Sequence, residues 1–199
     1  MNFKTEVIDM PRSSLISGPY KAVFMTVFLG ALLVVSMLFG FDANAQQAER
    51  PDFGGGGIFS YVPPNGWKVM PFPGLKFKVS RGEPFKGFAP NIVVADDDFD
   101  KTLDEYAQGS IATLKELFPG MQLISQTDFK TSDGTRVIKL LTERDDDAAK
   151  KRLRQVFYLY DAGNKKLVAT CSSLAETAPA SDLVCDAAMK TFDVTPKPH

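Results

Sequence analysis

The stretch VFYLY, residues 156–160, decides the fold of this 199-residue chain. Successive side chains of a strand point to opposite sides of its sheet, and here all five are apolar or aromatic. Residues 137–141 (VIKLL) also place apolar side chains on both sides. Strands of this kind are covered on both faces. The sequence therefore predicts a sheet with a layer packed on each side.

Short β-branched or alternating segments, separated by turn residues, predict the other strands of this sheet. Turn sequences at 132–134 and 161–164 join neighbouring segments, which predicts antiparallel hairpins. The turn Pro63-Pro64-Asn65-Gly66 similarly predicts that the two opening strands pair with each other. The predicted strands are residues 58–62, 67–70, 75–80, 90–95, 123–130, 135–143, 154–160 and 166–171.

Two predicted helices supply the covering layers. Thr102 and Glu105 have capping-box spacing, and apolar residues then recur at helical intervals up to Phe118. That helix covers one face of the sheet, so we expect residues 180–192 to form a second helix on the other. The predicted fold class is α+β: a three-layer α/β/α sandwich with a central, mostly antiparallel sheet.

The N-terminal region has the organisation of a targeting segment. Residues 22–41 carry no charge and follow basic residues, and Ala43 and Ala45 form an A-x-A cleavage pattern. This pattern predicts a signal peptide over residues 1–45 and a mature chain that begins at Gln46. The alternative is an uncleaved membrane anchor, because the apolar run just reaches the length that spans a bilayer. In both cases the remainder of the chain is expected to be exported, to the periplasm or the extracellular space.

The remaining boundaries follow from composition. Residues 46–57 are polar and then glycine-rich, which predicts a flexible tether. Residues 58–194 form the predicted folded domain, and residues 195–199 a disordered tail. Because acidic residues are unusual near the start of a signal peptide, Met10 is an alternative start to Met1.

Composition excludes several classes of function. The chain has a formal net charge of −1, so it offers no strong basic face for nucleic acid. Its single histidine is the last residue, His199, where nothing would hold it in a catalytic geometry. Histidine-dependent nucleophiles and histidine-ligated zinc are therefore excluded in a monomer. We expect a protein that is not an enzyme and has no cofactor.

The only two cysteines, Cys171 and Cys185, have thirteen residues between them. This spacing does not fit a C-x-x-C redox motif, and two ligands are too few for structural zinc. Exported cysteines pair by default, so the sequence predicts a disulfide, with two free buried thiols as the alternative.

An acidic run, residues 96–100 (DDDFD), is a weak metal candidate through Asp96, Asp98 and Asp100. Counting from Asp96, however, the glycine and the glutamate that an EF-hand loop requires are missing. The favoured interpretation is that these carboxylates cap the helix that follows.

Two further features have a structural and a functional interpretation. Trp67, the only tryptophan, is expected to plug the core near the sheet end, with a ligand platform as the alternative. The acidic and basic residues at 145–147 and 150–152 predict a solvated loop of mixed charge.

A short signature resembles a known group of proteins. The opening Phe59-Ser60-Tyr61-Val62-Pro63-x-x-Gly66-Trp67 and the closing Thr191-Phe192-Asp193-Val194, with one long helix between them, resemble the PsbP-like and DcrB-like family. The resemblance spans residues 58–194. It implies an α/β/α sandwich, export and no established catalysis. PsbP proteins are extrinsic subunits that help photosystem II to retain calcium and manganese. DcrB-like proteins are bacterial envelope proteins, usually lipoproteins, but this chain lacks their lipid-attachment cysteine.

Together these observations predict an exported, non-catalytic accessory or binding protein of the cell envelope. Its partner would be an unknown envelope protein or a small ligand, and it would contact the membrane only through an uncleaved N-terminal segment. The alternative is a carboxylate-based calcium- or metal-binding subunit, or a metal-dependent enzyme. Function inferred from a fold alone is a weak argument, so the residues of the site must decide.

Overall fold

The computed structural model describes residues 50–146 and 150–195. The predicted signal peptide, with Ala43, Ala45 and Gln46, lies outside the described residues. Within these two ranges, none of the helices combines the length and the apolar character needed to cross a membrane. The strands are β1 (Phe59–Ser60), β2 (Lys68–Met70), β3 (Val79–Arg81), β4 (Asn91–Asp98), β5 (Gln122–Lys130), β6 (Arg136–Asp146), β7 (Lys151–Asp161), β8 (Lys165–Leu174) and β9 (Asp193–Val194); the helices are α1 (Leu103–Leu117) and α2 (Ala178–Lys190).

Seven strands form the central sheet in the order β2-β3-β4-β8-β7-β6-β5. Every neighbouring pair in this sheet is antiparallel. The helix α1 packs on β6 and β7 from one side, and α2 packs on β7 and β8 from the other. The predicted α/β/α sandwich is therefore confirmed.

The strand β7 lies between the two helices, as its double-sided apolar pattern predicts. Phe157 and Leu159 belong to the core under α1, whereas Val156, Tyr158 and Tyr160 belong to the core under α2. All five side chains are buried. Burying aliphatic and aromatic side chains stabilises the fold by roughly 1.5–3 kcal/mol each, so this strand contributes to both cores at once.

The helix α1 starts where the sequence predicts. The Thr102 hydroxyl accepts a hydrogen bond from the Glu105 backbone N–H (3.2 Å), and the Glu105 carboxylate accepts one from the Thr102 N–H (3.2 Å). These two bonds satisfy donors that a helix start otherwise leaves without partners. The inner face of α1 buries Leu103, Tyr106, Ala107, Ser110 and Leu114.

The helix α2 is attached differently. It follows a short 3₁₀ turn, Ala175–Thr177, and Thr177 makes no side-chain cap to it. Cys185 on its inner face forms a disulfide with Cys171, with 6.3 Å between the two Cα atoms. Cys171 lies inside β8 rather than at the strand end that the sequence suggested, because β8 continues to Leu174. The disulfide thus joins α2 directly to a central strand.

An aromatic cluster fills the end of the core beneath α2. Phe192 stacks on Tyr160 (ring centroids 4.0 Å apart) and on Phe59 (5.2 Å), while Tyr61 stacks on Phe53 (4.3 Å). Phe53 is 2% exposed, and its carbonyl accepts a hydrogen bond from the Lys78 N–H. Within the described part of the predicted tether, residues 50–57, one aromatic side chain is therefore buried, which a freely flexible tether would not show.

The predicted pairing of the two opening strands is wrong. β1 pairs with β9, in the register Phe59↔Val194, and β2 pairs with β3. The two prolines after β1 lack N–H groups and hold the chain extended, so β1 does not fold back onto β2. Instead the Val62 N–H donates to the Thr191 hydroxyl (2.8 Å).

Several strand boundaries also differ from the prediction. The stretch 75–80 contributes only Val79 and Ser80 to β3, whereas β4, β6, β7 and β8 are longer than predicted. The predicted mixed-charge loop is a continuation of the β6–β7 hairpin, in which Asp145 pairs with Arg152 and Asp146 with Lys151. Opposite charges on facing strand positions stabilise such an extension, which the charge pattern alone did not indicate.

Candidate functional site

A groove of about 310 Å³ lies beside α1. Its volume is at the lower end of the range for small-molecule sites, roughly 300–1,000 Å³. The residues that line it come from the β4–α1 connection and from α1 itself: Phe99, Lys101, Glu105, Tyr106, Gly109, Ser110, Ala112 and Thr113. The aromatic rings give it an apolar wall, and Lys101 and Glu105 bring one charge of each sign.

Gly109 leaves part of this groove open. A glycine inside a helix costs about 1 kcal/mol relative to alanine, so its presence on an exposed turn of α1 is unfavourable for the helix itself. A Cβ atom added at Gly109 would meet nothing within 4 Å. Packing therefore does not require the glycine, and a larger side chain at this position would project into the open space of the groove.

Asp97 is the most unusual group next to the groove. It belongs to β4 on the α1 side of the sheet, and it is 7% exposed. Its Oδ2 atom has no hydrogen-bond partner among the residues that the structure describes. Burial raises the pKa of the Asp97 carboxyl, the charges of Asp98 and Asp96 raise it further, and the Tyr106 hydroxyl opposes the increase. Tyr106 is common to both features, since it lines the groove and also adjoins the Asp97 carboxyl.

The lysine opposite Asp97 does not neutralise it. Lys166 faces Asp97 across β4 and β8 and is 1% exposed. Its ammonium donates instead to the carbonyls of Phe99 (3.0 Å) and Gly163 (2.8 Å) and to the Asp161 carboxylate (3.1 Å). These three acceptors use its three donors, which joins the β7–β8 turn to the start of the β4–α1 connection. Asp97 therefore keeps an acceptor oxygen free.

The hydroxyl groups of the groove are suited to binding rather than to nucleophilic attack. Burial raises the pKa of Tyr106, as does the neighbouring Asp97 charge, so the phenol stays protonated at neutral pH. The Ser110 hydroxyl donates to the Tyr106 carbonyl (2.8 Å), so its proton is directed at a backbone oxygen rather than at a side-chain base. The arrangement offers an apolar wall, neutral hydroxyls and a nearby negative charge.

The acidic run is placed differently from the expectation. Asp96 and Asp98 lie within β4 on the side opposite Asp97, and Asp100 is exposed in the connection. The interpretation of these residues as helix caps is wrong, because Thr102 and Glu105 cap α1. β4 continues to Asp98, which lies opposite Lys165 on β8, whereas Asp96 lies opposite Leu167.

Lysines occupy the oxygens that a metal ion would need at this run. The Lys76 ammonium lies 2.5 Å from the Asp96 Oδ2, and Lys165 pairs with both Asp96 (3.6 Å) and Asp98. The hydrogen bond from Lys165 lowers the pKa of Asp98. In the ranges 50–146 and 150–195, no three His, Cys, Asp or Glu side chains come close enough together to hold a metal ion.

Trp67 is half-buried and packs against the core beneath α2. A Cβ atom at Gly82 would lie 2.9 Å from the Trp67 ring, so the indole rests directly on the backbone of that residue. Trp67 thus packs against the cluster that also contains Cys171 and Cys185, and it is not a lining residue of the groove beside α1. Asp97, Tyr106 and Gly109 were missed as site residues by sequence reasoning, although the two-residue period of a strand would have separated Asp97 from its neighbours.

Comparisons with known proteins identify the fold. No protein-family model and no curated protein sequence matches the chain. Among solved structures, it is similar to LpqN, involved in cell envelope biogenesis of Mycobacterium tuberculosis, with a TM-score of 0.56 and 14% identity over 74% of this chain and 91% of that one. It is also similar to the cyanobacterial PsbP (CyanoP) of Synechocystis sp. PCC 6803, with a TM-score of 0.54 and 15% identity over 78% and 98% of the two chains.

A third similar structure is the Ran-binding protein Mog1p of Saccharomyces cerevisiae, with a TM-score of 0.51 and 15% identity over 75% of this chain and 97% of that one. Identities this low establish the fold alone. The resemblance to PsbP-like proteins is confirmed at the level of the fold: the chain has a PsbP-type sandwich. That fold occurs in proteins with unrelated roles, so the groove has to be interpreted from its own residues.

Proposed function

We propose that this chain is an exported, non-catalytic accessory protein of the cell envelope that binds a small ligand in the groove beside α1. The observation that carries the proposal is the buried Asp97 oxygen, which has no hydrogen-bond partner among the described residues and lies behind Tyr106, a residue that lines the largely apolar groove. A buried acceptor without a partner costs about 1–3 kcal/mol, so such groups are retained chiefly where they serve a function. The ligand that fits has a small apolar body and carries a positive charge or hydrogen-bond donors.

Four further observations support an extracytoplasmic, non-catalytic role. The Cys171–Cys185 disulfide is of the kind that persists in oxidising compartments. The N-terminal sequence has the pattern of a signal peptide, and one of the similar structures takes part in cell envelope biogenesis. In the groove, the Ser110 hydroxyl donates to a backbone carbonyl, and burial raises the pKa of the Tyr106 phenol, so neither is an activated nucleophile.

Three indole compounds of similar size test the groove: tryptamine (cationic), tryptophol (neutral) and indole-3-propionate (anionic). We expect NMR titration of the protein to show shifts at Gly109, Ser110 and Thr113, with affinity falling from the cation to the anion. Gly109→Phe fills the groove and should abolish the shifts, whereas Gln108→Phe, one residue away and exposed, should leave them unchanged. Asp97→Asn should remove the preference for tryptamine.

The proposal of a groove ligand is wrong if none of the three compounds shifts these residues at about 10 mM, a concentration that detects even millimolar affinities. It is equally wrong if Gly109→Phe and Gln108→Phe bind all three alike.

Export is tested separately. N-terminal sequencing of the protein from the envelope fraction should give Gln46 as the first residue; retention of residues 22–41 would indicate a membrane anchor instead.

A further inference from the structure

The outer face of α2 carries apolar residues, where an ordinary surface helix carries polar and charged ones. Ala180, Leu183, Val184 and Ala187 are all exposed, with Leu183 at 72% and Val184 at 39%. Residues spaced three, four and seven apart lie on one side of a helix, so these four form a continuous uncharged surface, which we call the α2 stripe. The carboxylates of α2, in contrast, turn towards the sheet.

Contacts on the inner side keep the α2 stripe exposed. Asp182 accepts hydrogen bonds from Arg154 (2.7 and 3.0 Å), and Asp186 accepts them from Lys139 (2.6 and 2.8 Å). The Cys185 disulfide lies between them. These attachments fix the rotation of α2 about its axis, so the helix cannot turn to bury Leu183. Single exposed apolar residues are ordinary, but a rigid continuous stripe of them marks an interaction surface.

We propose that the α2 stripe is a self-association surface, on which two copies of this chain pack their α2 helices antiparallel. The stripe has the same spacing in both directions from its centre between Leu183 and Val184. In an antiparallel pair each Ala180 therefore meets Ala187 of the second copy, and the two large side chains fill the space between. A two-fold interface requires this kind of self-complementarity.

Charges at the two ends of the stripe favour the same orientation. Glu176 precedes α2 and Lys190 ends it, at about 11 Å and about 10 Å from the centre for a rise of ~1.5 Å per residue. An antiparallel pair brings each Glu176 towards the Lys190 of the second copy, whereas a parallel pair places like charges together. Glu176 already accepts from Lys86 (2.6 Å), but its side chain is 49% exposed and a carboxylate accepts further donors.

The expected dimer is weak. A single helical stripe covers less than the roughly 800 Å² per partner that stable interfaces bury. A dissociation constant on the order of 100 µM is therefore expected, which places the dimer among transient complexes. It is independent of the proposed ligand, because α1 and its groove lie on the opposite face of the sheet.

Sedimentation equilibrium on protein produced from the full chain and purified from the envelope fraction tests the dimer. We expect concentration-dependent dimerisation, and a weakening of at least about tenfold in Leu183→Glu, since a charge would be buried at the interface. The matched control is Leu117→Glu, which adds the same charge at an exposed leucine of α1 and should leave the dissociation constant unchanged. Glu176→Lys and Lys190→Glu should each weaken the dimer about two- to fivefold at low salt, and their combination should restore it.

Cysteine cross-linking tests the orientation. A mixture of Ala180→Cys and Ala187→Cys proteins should form the mixed disulfide in preference to either homodimeric one, with the Cys171–Cys185 bond verified by mass spectrometry. A monomer at all concentrations up to about 500 µM overturns the proposal, since the expected dimer would then be mostly formed. Equal effects of Leu183→Glu and Leu117→Glu, or a preference for the two homodimeric cross-links, also overturn it.

Discussion

The two helices that cover this sheet are held by different means. α1 begins with a capping box and buries Leu103, Tyr106 and Leu114 in a mainly apolar contact. α2 has no side-chain cap, and its contact with the sheet combines a disulfide with ion pairs and small buried residues.

This difference shows why the two outer surfaces are also different. The inner face of α1 uses its apolar residues, so polar residues remain for solvent. In α2 the carboxylates of Asp182 and Asp186 form ion pairs with Arg154 and Lys139 on the inner face. The apolar Leu183 is therefore left on the outer face. The means by which a helix is attached to its sheet therefore determines which residues are available to partners.

The largest expected effect concerns the apolar contact of α1. Leu114 is 1% exposed in the core under this helix. Leu114→Ala should lower the free energy of unfolding by about 2–5 kcal/mol in a denaturant titration, through lost burial and the cavity that remains. Leu117→Ala, at a position 39% exposed on the same helix, should cost less than about 1 kcal/mol. Equal losses would contradict the placement of the α1 core.

The second effect concerns the disulfide of α2. The Cys171–Cys185 bond closes a loop of about 15 residues and thereby restricts the unfolded chain. Reduction removes this restriction and should lower the free energy of unfolding by about 2–4 kcal/mol. Cys171→Ala and Cys185→Ala should have similar effects, and the double variant should cost little more than either. Thiol labelling of the unreduced, denatured protein verifies the premise: two reactive thiols per chain would show that no bond exists.

The third effect is on the polar attachment of α2. Asp186 accepts from Lys139 and also from the Tyr158 hydroxyl (2.5 Å), which is buried beneath the helix. Asp186→Ala leaves both donors without their carboxylate and should lower the free energy of unfolding by about 1–3 kcal/mol. Asp193→Ala is the control, because its ion pair with Arg50 is exposed and worth little. A loss no larger than that of the control would show that α2 does not depend on Asp186.

A smaller effect separates the two helix starts. Thr102→Ala removes the cap of α1 and should cost about 1 kcal/mol of unfolding free energy. The corresponding Thr177→Ala at α2 should cost less, because Thr177 makes no hydrogen bond to the N–H groups of the helix. Thermal unfolding of the two variants side by side measures this difference, and a larger loss in Thr177→Ala would contradict it.

The smallest effect is a difference in pH dependence between carboxyls on the two faces. Burial raises the pKa of Asp97 on the α1 face, whereas hydrogen bonds from Arg152 and then Arg154 lower the pKa of Glu143 on the α2 face. At neutral pH, Asp97→Asn should therefore increase the free energy of unfolding by roughly 1 kcal/mol, and Glu143→Gln should decrease it.

Both differences from the wild-type protein should shrink as pH falls, but for opposite reasons. The folded protein takes up a proton at Asp97 as the pH falls through its raised pKa, so the wild-type protein gains stability relative to Asp97→Asn. The contribution of Glu143 is complete above its unfolded pKa and is lost as the pH falls through its lowered folded pKa. Denaturant titrations from about pH 7 to about pH 3 measure both trends. A stabilising effect of Glu143→Gln at neutral pH would contradict the assignment.

The sequence alone predicted those elements whose pattern lies in neighbouring residues. The capping box and the helical spacing predicted α1 to within one residue at its end, and the double-sided strands predicted the two covering layers. The partner of β1 was not predictable in this way, because its pairing with β9 depends on residues at the far end of the domain. No local turn sequence indicates that β1 and β9 pair.

The candidate site depended on register, which the sequence alone did not provide. Asp96, Asp97 and Asp98 look equivalent as a run, yet the alternation of a strand sends only Asp97 to the α1 side. The free Asp97 oxygen further depends on where the Lys166 ammonium points, and that is set by the β7–β8 turn. Such a site becomes visible only when the strand, the turn and the helix are placed together.

The pairing of β1 with β9 has a consequence for the order in which the domain is assembled. A chain that emerges from the ribosome or from a membrane pore N-terminus first exposes Phe59 long before Val194 is available to pair with it. The aromatic cluster of Phe59 and Phe192 must therefore also close last. Non-local closure of this kind slows folding, which keeps an emerging chain unfolded for longer. The fold is therefore completed only when β9, the last strand to be made, pairs with β1.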